Sequence, residues 1–516
     1  MRYSNSTRLA VGALLGATVL AACSSASTTS RNDEEAAEPV RGGSVTIARA
    51  ADIGSWDPDT AFTVQSLQTL PMVMEGLLRP DPEAPSGVSG GLAEEWEVEE
   101  SGRTITFHLR DGATFSDGSP VTAADVVFSV EQWQQNVGYG PLYASITGAT
   151  ALSDDSVAIE LKQPSSVTLS WIGAGASVIV PKDFGGRTRE DFYASPVGAG
   201  PFMVDEYKPG QTLTMVRNPH YYDDERPYLD SITYEIVADA NQRLLQYQRG
   251  DIDVIEAVPA DVADVIPESD RYVVHPASTV QSAWFNLQRS PTDDVRFRRA
   301  VSFAIDRDAY VDAVYRGFAE VAGAALPQGV EGSAACECDD YSFDPERARA
   351  ELAESGYDGE EIVMLAPGDN PVLNRGSQIV EQMLEDVGIN IALQPVELEV
   401  MNDLLMNGEY HLNIADMSSV SPSVGDVFSL MPYMIPGLDE EATATINNGF
   451  ADLDAATDQA SGVAATQRLE QWWAEEQPYV PIANPDRIVA LGPEIHGFAA
   501  TSYLMYPADQ LWRSGQ

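Results

Sequence analysis

The stretch Thr104–Trp133, TITFHLRDGATFSDGSPVTAADVVFSVEQW, decides the fold class of this chain. Its first part alternates apolar and polar residues, which is typical of a half-buried β-strand. Two Asp-Gly dipeptides then predict turns. Thr122 is followed three residues later by Asp125 and then by an apolar-periodic run, which is the N-cap signature of a helix. A strand, turns and a capped helix within one short stretch predict a mixed α/β fold.

Strands and helices alternate in the same way on both sides of this stretch. Further strands are predicted at 44–49, 156–161, 212–217, 231–237, 251–256, 271–275, 282–287, 361–366, 389–395, 410–415 and 479–483. Helices are predicted at 240–248, 293–305, 307–315, 345–355, 372–387 and 462–476. The alternation in the second half of the chain favours a lobe built from βαβ units.

The N-terminus carries targeting signals. Arg2 and Arg8 begin a run whose apolar part, LAVGALLGATVL at 9–20, is too short to span a bilayer and is typical of a secretory signal. The sequence Leu20-Ala-Ala-Cys23 then resembles a bacterial lipobox, which implies lipid on Cys23. We therefore expect a signal peptide over 1–22, a flexible tether over 23–41, and an extracytoplasmic protein anchored by lipid to the outer face of the cell membrane.

The composition is strongly acidic, with 79 Asp and Glu against 30 Lys and Arg and a net charge of −49. Such a surface repels nucleic acid and anionic lipid, so we expect no nucleic-acid partner and no membrane contact beyond the lipid anchor. Hydrophobic residues make up 44% of the chain, and its length predicts two to four domains with ample core. We expect a monomer.

Cysteine and histidine usage argues against a metal or another cofactor. Besides Cys23, the chain has only Cys336 and Cys338, in the loop SAACECD, and an oxidising compartment allows these two to form a local disulfide. Zinc usually takes four ligands, and the five histidines are scattered along the chain. We therefore expect no metal site and no cofactor.

A secreted hydrolase is the main alternative from another class of protein. Gly87-Val-Ser-Gly-Gly91 matches the nucleophile-elbow pattern, but that motif requires a strand directly before it and a helix directly after it. A proline-rich segment precedes it here, and the block GLAEEWEV follows directly. The chain also has no HExxH pair and no phosphate loop. We expect a protein that is not an enzyme, with any ATPase on a separate chain.

Several blocks of sequence resemble one known family, the peptide/opine/nickel class of solute-binding proteins of ABC importers. The blocks are GLAEEWEV (91–98), GRTITFHLRDG (102–112), FSDGSPVTAADVVF (115–128), VGAGPF (197–202), RNPHYY (217–222), GDIDV (250–254), FNL (285–287) and DVRFRRAVSFAIDR (294–307). The resemblance implies a periplasmic-binding-protein-like (type II) fold with two lobes, a hinge between them and an extra subdomain in the first lobe. It places lobe one at 42–279 with the subdomain at about 58–182, lobe two at 280–484, and a return to lobe one at 485–516.

The same resemblance implies a ligand enclosed between the lobes and passed to the permease subunits of an ABC importer. Its candidate contacts are aromatic or polar residues in three regions and beside the hinge. They are Trp56, Tyr139, Tyr143, Trp284, Asn286, Asp416, Ser419 and Asp426. The ligand class stays open among a peptide or peptide-like molecule, an oligosaccharide and a chelate, and a receptor that senses a peptide signal would use the same binding chemistry.

The sequence departs from the peptide-binding pattern in the third region. Many relatives end a strand there with Trp and place a carboxylate about three residues further on, where it pairs with the α-ammonium group of the peptide. In this chain Asp416 takes the position of the aromatic residue, and Ser419 takes roughly that of the acid. We hypothesise that Asp416 or Asp426 anchors a cationic group by a charge-assisted hydrogen bond, opposite walls formed by Trp56 and the Tyr139–Tyr143 loop.

Overall fold

The first lobe is built on a seven-stranded sheet, called the first-lobe sheet below. The computed structural model describes residues 38–515, except 62, 82–83, 85–86, 137–139, 166, 331, 337–340, 369, 457–458 and 504. In spatial order the strands are Arg271–Val274, Arg487–Leu491, Val254–Ile255, Ser44–Arg49, Ser231–Ile236, Thr212–Arg217 and Phe202–Lys208. The helices of this lobe are Val64–Val73, Arg189–Ala194, Ala240–Arg249 and Ala260–Ala263. Short 3-10 helices occur at Lys182–Gly186, Glu268–Asp270 and Ala508–Gln510, and the C-terminal segment adds the strand pair Ile495–His496 and Trp512–Arg513.

A four-stranded antiparallel sheet forms the core of the subdomain. Its strands, in order, are Ala93–Val98, Thr104–Leu109, Ser156–Leu161 and Ile146–Ala151. The helix Ala123–Gln135 begins where the sequence predicted, because the Thr122 backbone N–H donates a 2.7 Å hydrogen bond to the Asp125 carboxylate. The remaining elements are the strand pair Leu78–Pro80 and Val88–Gly90, the helix Thr168–Ile172 and the 3-10 helix Gly140–Tyr143.

The second lobe is built on a six-stranded sheet, called the second-lobe sheet below. In spatial order its strands are Ala319–Val321, Tyr479–Pro485, Thr279–Phe285, Leu412–Ser418, Ile362–Pro367 and Ile391–Val396. Its helices are Val295–Ala304, Arg307–Tyr315, Pro345–Glu354, Pro371–Asp386, Leu398–Met406, Gly425–Met434, Glu440–Asp454 and Gln459–Glu476. Across the described residues, no helix combines the length and the apolar character that a bilayer span requires.

The chain passes between the two large sheets twice, at 275–278 and at Asp486. The two crossing segments are tied together, because Nδ1 of His275 lies 2.7 Å from Oδ1 of Asp486. Nε2 of His275 also lies 3.4 Å from a carboxylate oxygen of Glu320, on the edge strand of the second lobe. The hydrogen bond to Asp486 raises the pKa of His275 above its ordinary value. The hinge is therefore a pair of short strand connections joined by an imidazole–carboxylate contact.

The lobes also contact one another away from the hinge. Arg375, on a second-lobe helix, forms a 3.3 Å ion pair with Asp261 of the first lobe. The Ser502 hydroxyl, in the C-terminal segment, donates a 2.6 Å hydrogen bond to the carbonyl of Gly329. The lobes are therefore joined by side-chain contacts as well as by the two crossings.

Candidate functional site

The parallel strands of both sheets end at the crossings. In the first-lobe sheet, Ser44–Arg49 runs parallel to Val254–Ile255. In the second-lobe sheet, Ile362–Pro367 runs parallel to Leu412–Ser418. Open α/β sheets bind ligands outside the carboxyl ends of their strands. The space between these strand ends, called the cleft below, is therefore the candidate site.

Asp416 lies in the cleft and is held in place by two buried side chains. Gln281, its cross-strand neighbour, donates a 2.9 Å hydrogen bond from Nε2 to Asp416 Oδ1. The hydroxyl of Tyr310 donates in turn to Oε1 of Gln281. This hydroxyl approaches a second-lobe helix at Gly376, where any Cβ would collide with it. The carboxylate is thus positioned before a ligand arrives.

The environment of Asp416 combines exposure with poor hydration. Its side chain is exposed to solvent, yet the surrounding protein removes part of its hydration and raises its pKa to about 6. The hydrogen bond from Gln281 lowers the pKa by a smaller amount. A carboxylate at the edge of the space between two sheets meets both conditions, because water reaches it while protein replaces part of its hydration shell. Within the described part of the chain, Oδ2 of Asp416 has no hydrogen-bond partner. Asp416 is therefore free to accept a hydrogen bond from a cationic group.

The first-lobe side of the cleft carries a buried ion pair. Nε of Arg49 donates a 2.7 Å hydrogen bond to Oε2 of Glu256, and both side chains are almost fully buried. Arg49 also donates to Thr69 Oγ1 at 2.6 Å and stacks on the ring of Tyr234 at 3.5 Å. The hydroxyl of Tyr506 donates to the other oxygen of Glu256. This cluster joins Arg49, the last residue of Ser44–Arg49, to Glu256, which directly follows Val254–Ile255.

Trp56 and Tyr143 are buried in the first lobe. Trp56 packs edge-to-face on Tyr207, with ring centroids 6.4 Å apart, and lines an open pocket of about 570 Å³ with Asp57 and Arg189. Tyr143 stacks on Trp133 in the subdomain core and bonds Ser177 at 2.7 Å. Among the described residues, the pocket beside Trp56 includes none from the second lobe, so the structure does not bring Trp56 and Asp416 into one site. Tyr139 lies outside the described residues.

Three other predicted contacts lie in the second lobe, and each has a structural partner within the protein. Trp284 is buried and stacks on Tyr479 at 4.3 Å between ring centroids. Asn286 Nδ2 donates to the carbonyls of Gly408 and Tyr410, each at 3.2 Å. The Ser419 backbone N–H donates a 3.0 Å hydrogen bond to the Ser278 carbonyl at the first crossing. Asp426 lies in the helix Gly425–Met434, and its side chain is outside the described part.

The strand that carries Asp416 is longer than the sequence predicts. We predicted a strand over 410–415 with Asp416 at its end, whereas the strand runs over Leu412–Ser418. Pairing with Thr279–Phe285 continues as far as Thr279 opposite Ser418, which keeps the polar end of the strand in the sheet. Asp416 therefore stands on a rigid strand rather than on a loop.

The remaining predicted sites are only partly described. Cys336 is disulfide-bonded, but Cys338 lies outside the described residues, as does Cys23, so the predicted pairing and lipidation stay predictions. Over the described ranges, no group of three His, Cys, Asp or Glu side chains is arranged to hold a metal ion.

The GxSxG match at 87–91 does not have the structure of a nucleophile elbow. Ser89 lies in the short strand Val88–Gly90, and the strand Ala93–Val98 follows. The segment thus lacks the strand-to-helix turn of a nucleophile elbow.

Sequence reasoning missed Gln281 and Tyr310 as the residues that position Asp416. Gln281 had a readable signal, since it is a polar residue within the fully buried strand TVQSAWF, and buried polar groups need partners. Tyr310 had no such signal, because its partner Gln281 lies on a strand 29 positions away in the sequence.

Two α/β lobes joined by two crossings define a protein with the two-lobe periplasmic-binding-protein fold. The chain belongs to the bacterial extracellular solute-binding proteins, family 5, and the middle region of that family matches residues 87–433. The family resemblance and the fold class expected from the sequence are both confirmed.

Individual relatives share the fold over nearly the whole chain. A probable D,D-dipeptide-binding periplasmic protein of Escherichia coli is 26% identical over 480 residues, which cover 88% of this chain and 90% of that protein. The dipeptide-binding protein of Pseudoalteromonas sp. SM9913, solved with Met-Leu, has a TM-score of 0.82 at 19% identity and covers 92% of this chain and 100% of its own. The binding protein AgaA of A. tumefaciens R10, solved with agropinic acid, has a TM-score of 0.80 at 23% identity, with 92% and 99% coverage.

Proposed function

We propose that this protein is the substrate-binding lipoprotein of an ABC importer, which traps a small ligand with a cationic group between its lobes and delivers it to the permease. The observation that carries this proposal is the Asp416 carboxylate, which is positioned by Gln281 and has one oxygen without a partner in the described structure. A carboxylate in a poorly hydrated cleft binds an ammonium or guanidinium group by a strong charge-assisted hydrogen bond.

A peptide or peptide-like ligand fits this chemistry best. An α-ammonium group is the cation that a peptide offers, and Asp416 supplies a matching acceptor although it stands where many relatives place Trp. The names of the E. coli and Pseudoalteromonas relatives support the same class. An uncharged oligosaccharide would leave the carboxylate unpaired, and the described residues offer no metal-ligating cluster for a bare ion.

In this proposal the protein releases its ligand chemically unchanged. The test is therefore to identify the bound molecule and to check that its mass stays constant. Protein that begins after Cys23 should be purified gently and analysed by native mass spectrometry, with gas-phase release of any bound molecule. We expect one bound molecule per chain, with an amine or guanidine and the same mass after prolonged incubation. A ligand that lacks any cationic group, or one that is cleaved, would contradict the proposal.

A lipid anchor at Cys23 completes the proposed function. The lipobox-like sequence and the acidic tether over 23–41 support attachment to the outer face of the cell membrane. Replacing Cys23 by Ala is expected to move the protein from the membrane fraction to the soluble fraction of a bacterial host that processes lipoproteins. Retention of the Cys23→Ala protein in the washed membrane fraction would exclude this anchor.

A further inference from the structure

We propose that His275 makes the relative position of the two lobes sensitive to pH, because its doubly protonated ring holds the two crossings and the edge strand of the second lobe together and its neutral ring releases them. The inference goes beyond the proposed function, since it concerns the hinge and requires no ligand.

His275 lies where a rotation of one lobe against the other has to be absorbed. It directly follows Arg271–Val274, the edge strand of the first-lobe sheet. Asp486 is the single residue between Tyr479–Pro485 of the second-lobe sheet and Arg487–Leu491 of the first-lobe sheet. Domains rotate about a few residues at the ends of their elements, and both crossings are segments of this kind. The contact between His275 and Asp486 therefore joins the two hinge segments.

The two ring nitrogens of His275 face one carboxylate each. Nδ1 lies 2.7 Å from Oδ1 of Asp486, and Nε2 lies 3.4 Å from Oε1 of Glu320. An ionised carboxylate only accepts hydrogen bonds, whereas a neutral imidazole has one N–H and an imidazolium has two. Only the protonated ring can therefore donate to both carboxylates, and the neutral ring turns a lone pair toward one of them.

The charged groups that face His275 favour its protonated ring. The hydrogen bond to Asp486 raises the pKa of His275, burial opposes this, and the charges of Asp486 and Glu320 raise the pKa further. The arginines of the adjoining strands, Arg271 and Arg487, form no ion pair with either carboxylate within the described part of the chain. His275 thus supplies the positive charge between these two acids.

The bridge through His275 spans both lobes, because Glu320 belongs to the second lobe and His275 continues a strand of the first. The lobes touch in this structure, where Arg375 pairs with Asp261 at 3.3 Å. The protonated ring therefore stabilises the arrangement in which the lobes touch. Since the pKa of His275 is raised in this arrangement, the stabilisation is complete below the ordinary histidine pKa of about 6.5 and is lost as the pH rises through the raised value. The ligand-free protein is thus expected to separate its lobes more often at alkaline pH.

The test measures the separation of the lobes in ligand-free protein that begins after Cys23, by single-molecule fluorescence energy transfer. Leu152→Cys in the subdomain and Val400→Cys in the second lobe provide the dye positions, because both side chains are exposed. We expect the ratio of separated to touching lobes to rise about 3- to 10-fold between about pH 6 and about pH 9, which is the size of the effect of one hydrogen bond.

Three variants, each made in the labelled protein, test the role of the imidazolium. His275→Gln should lose the pH response, because its side chain does not titrate. His275→Lys keeps its charge over this range and should hold the lobes together at both pH values. His108→Gln is the matched control, since His108 is exposed on the subdomain strand Thr104–Leu109, and it should respond as the labelled protein without it does. An NMR titration of the five histidines of the unlabelled wild-type protein should give His275 a pKa above its ordinary value of about 6.5.

The outcomes bear on this inference alone, because no ligand is present. Equal lobe separation at both pH values without a change at His275 would exclude it, as would a full pH response in His275→Gln or a pKa of His275 at or below its ordinary value. Circular dichroism shows whether each variant is folded. If His275→Gln does not fold, the pH response of the labelled protein and the titration of the wild-type protein decide the question without it.

Discussion

Replacing Asp416 by Asn is expected to lower the affinity for a ligand with a free ammonium group by about 30- to 1,000-fold, since losing one partner of an enclosed charge pair costs about 2–4 kcal/mol. Asparagine has nearly the same shape, and its carbonyl oxygen still accepts the hydrogen bond from Gln281. The change therefore removes the charge and leaves the strand Leu412–Ser418 intact. Titration calorimetry with the released natural ligand, or with a peptide that binds, gives the measurement.

Asp452→Asn is the matched control, because Asp452 pairs with Arg468 on an exposed helix face at 2.6 Å. Removing that exposed carboxylate should leave ligand affinity within about twofold of wild type, given the small energies of surface pairs. Equal affinities of the Asp416→Asn and wild-type proteins would remove Asp416 from the site and, with it, the observation that carries the proposed function.

The same carboxylate gives the binding a defined pH dependence. Asp416 has a pKa of about 6 without ligand, and only its charged form attracts a cation. Below about pH 6 the ligand must displace a proton, so the affinity of the wild-type protein is expected to fall by up to about tenfold per pH unit. Asp416→Asn should show no such decline between pH 7 and pH 5. A wild-type affinity that stays constant over this range would contradict the role of Asp416.

Local signals in the sequence predicted most of the secondary structure. The capped helix Ala123–Gln135 depends on Thr122 and Asp125, which lie within one turn of its start. The strands Ser156–Leu161 and Thr212–Arg217 occur over the residues that the sequence predicted, and the buried positions of Thr212–Arg217 alternate. The sequence was less informative for Leu412–Ser418, because its last residues are polar and only pairing with another strand keeps them in the sheet.

The cleft was harder to predict, because its contacts join residues that are far apart in the chain. Gln281 and Asp416 are separated by 135 positions, and Arg49 and Glu256 by 207. The role of an aromatic residue is also ambiguous from the sequence alone. Trp56 and Trp284 are equally suited to a pocket wall or a core, and the structure packs both against other rings. A charged or polar residue within a buried strand, such as Gln281, is the more specific signal.

Replacing Glu256 by Gln is expected to destabilise the first lobe by about 3–5 kcal/mol, the typical cost of removing one partner from a buried ion pair. Burial opposes the charge of Arg49, and Glu256 is the main reason that the pKa of Arg49 is raised nonetheless. The charge of Glu256 also raises the pKa of Arg487, which means that it stabilises the charged form of that guanidinium group. Neutralising this one side chain thus leaves two guanidinium groups without a counter-charge. Equilibrium urea denaturation of the ligand-free protein, followed by tryptophan fluorescence, measures the loss.

Three comparison variants separate this charge effect from a packing effect. Arg49→Met should cost less than Glu256→Gln, because Arg487 stays available as a counter-charge for Glu256. The double variant Arg49→Met with Glu256→Leu should recover much of the stability, since well-packed apolar residues often replace a buried ion pair without loss. Asp452→Asn should change the free energy of unfolding by about 0–1 kcal/mol, as expected for an exposed pair. If Glu256→Gln proves as mild as Asp452→Asn, the Glu256 carboxylate does not compensate the charges of Arg49 and Arg487.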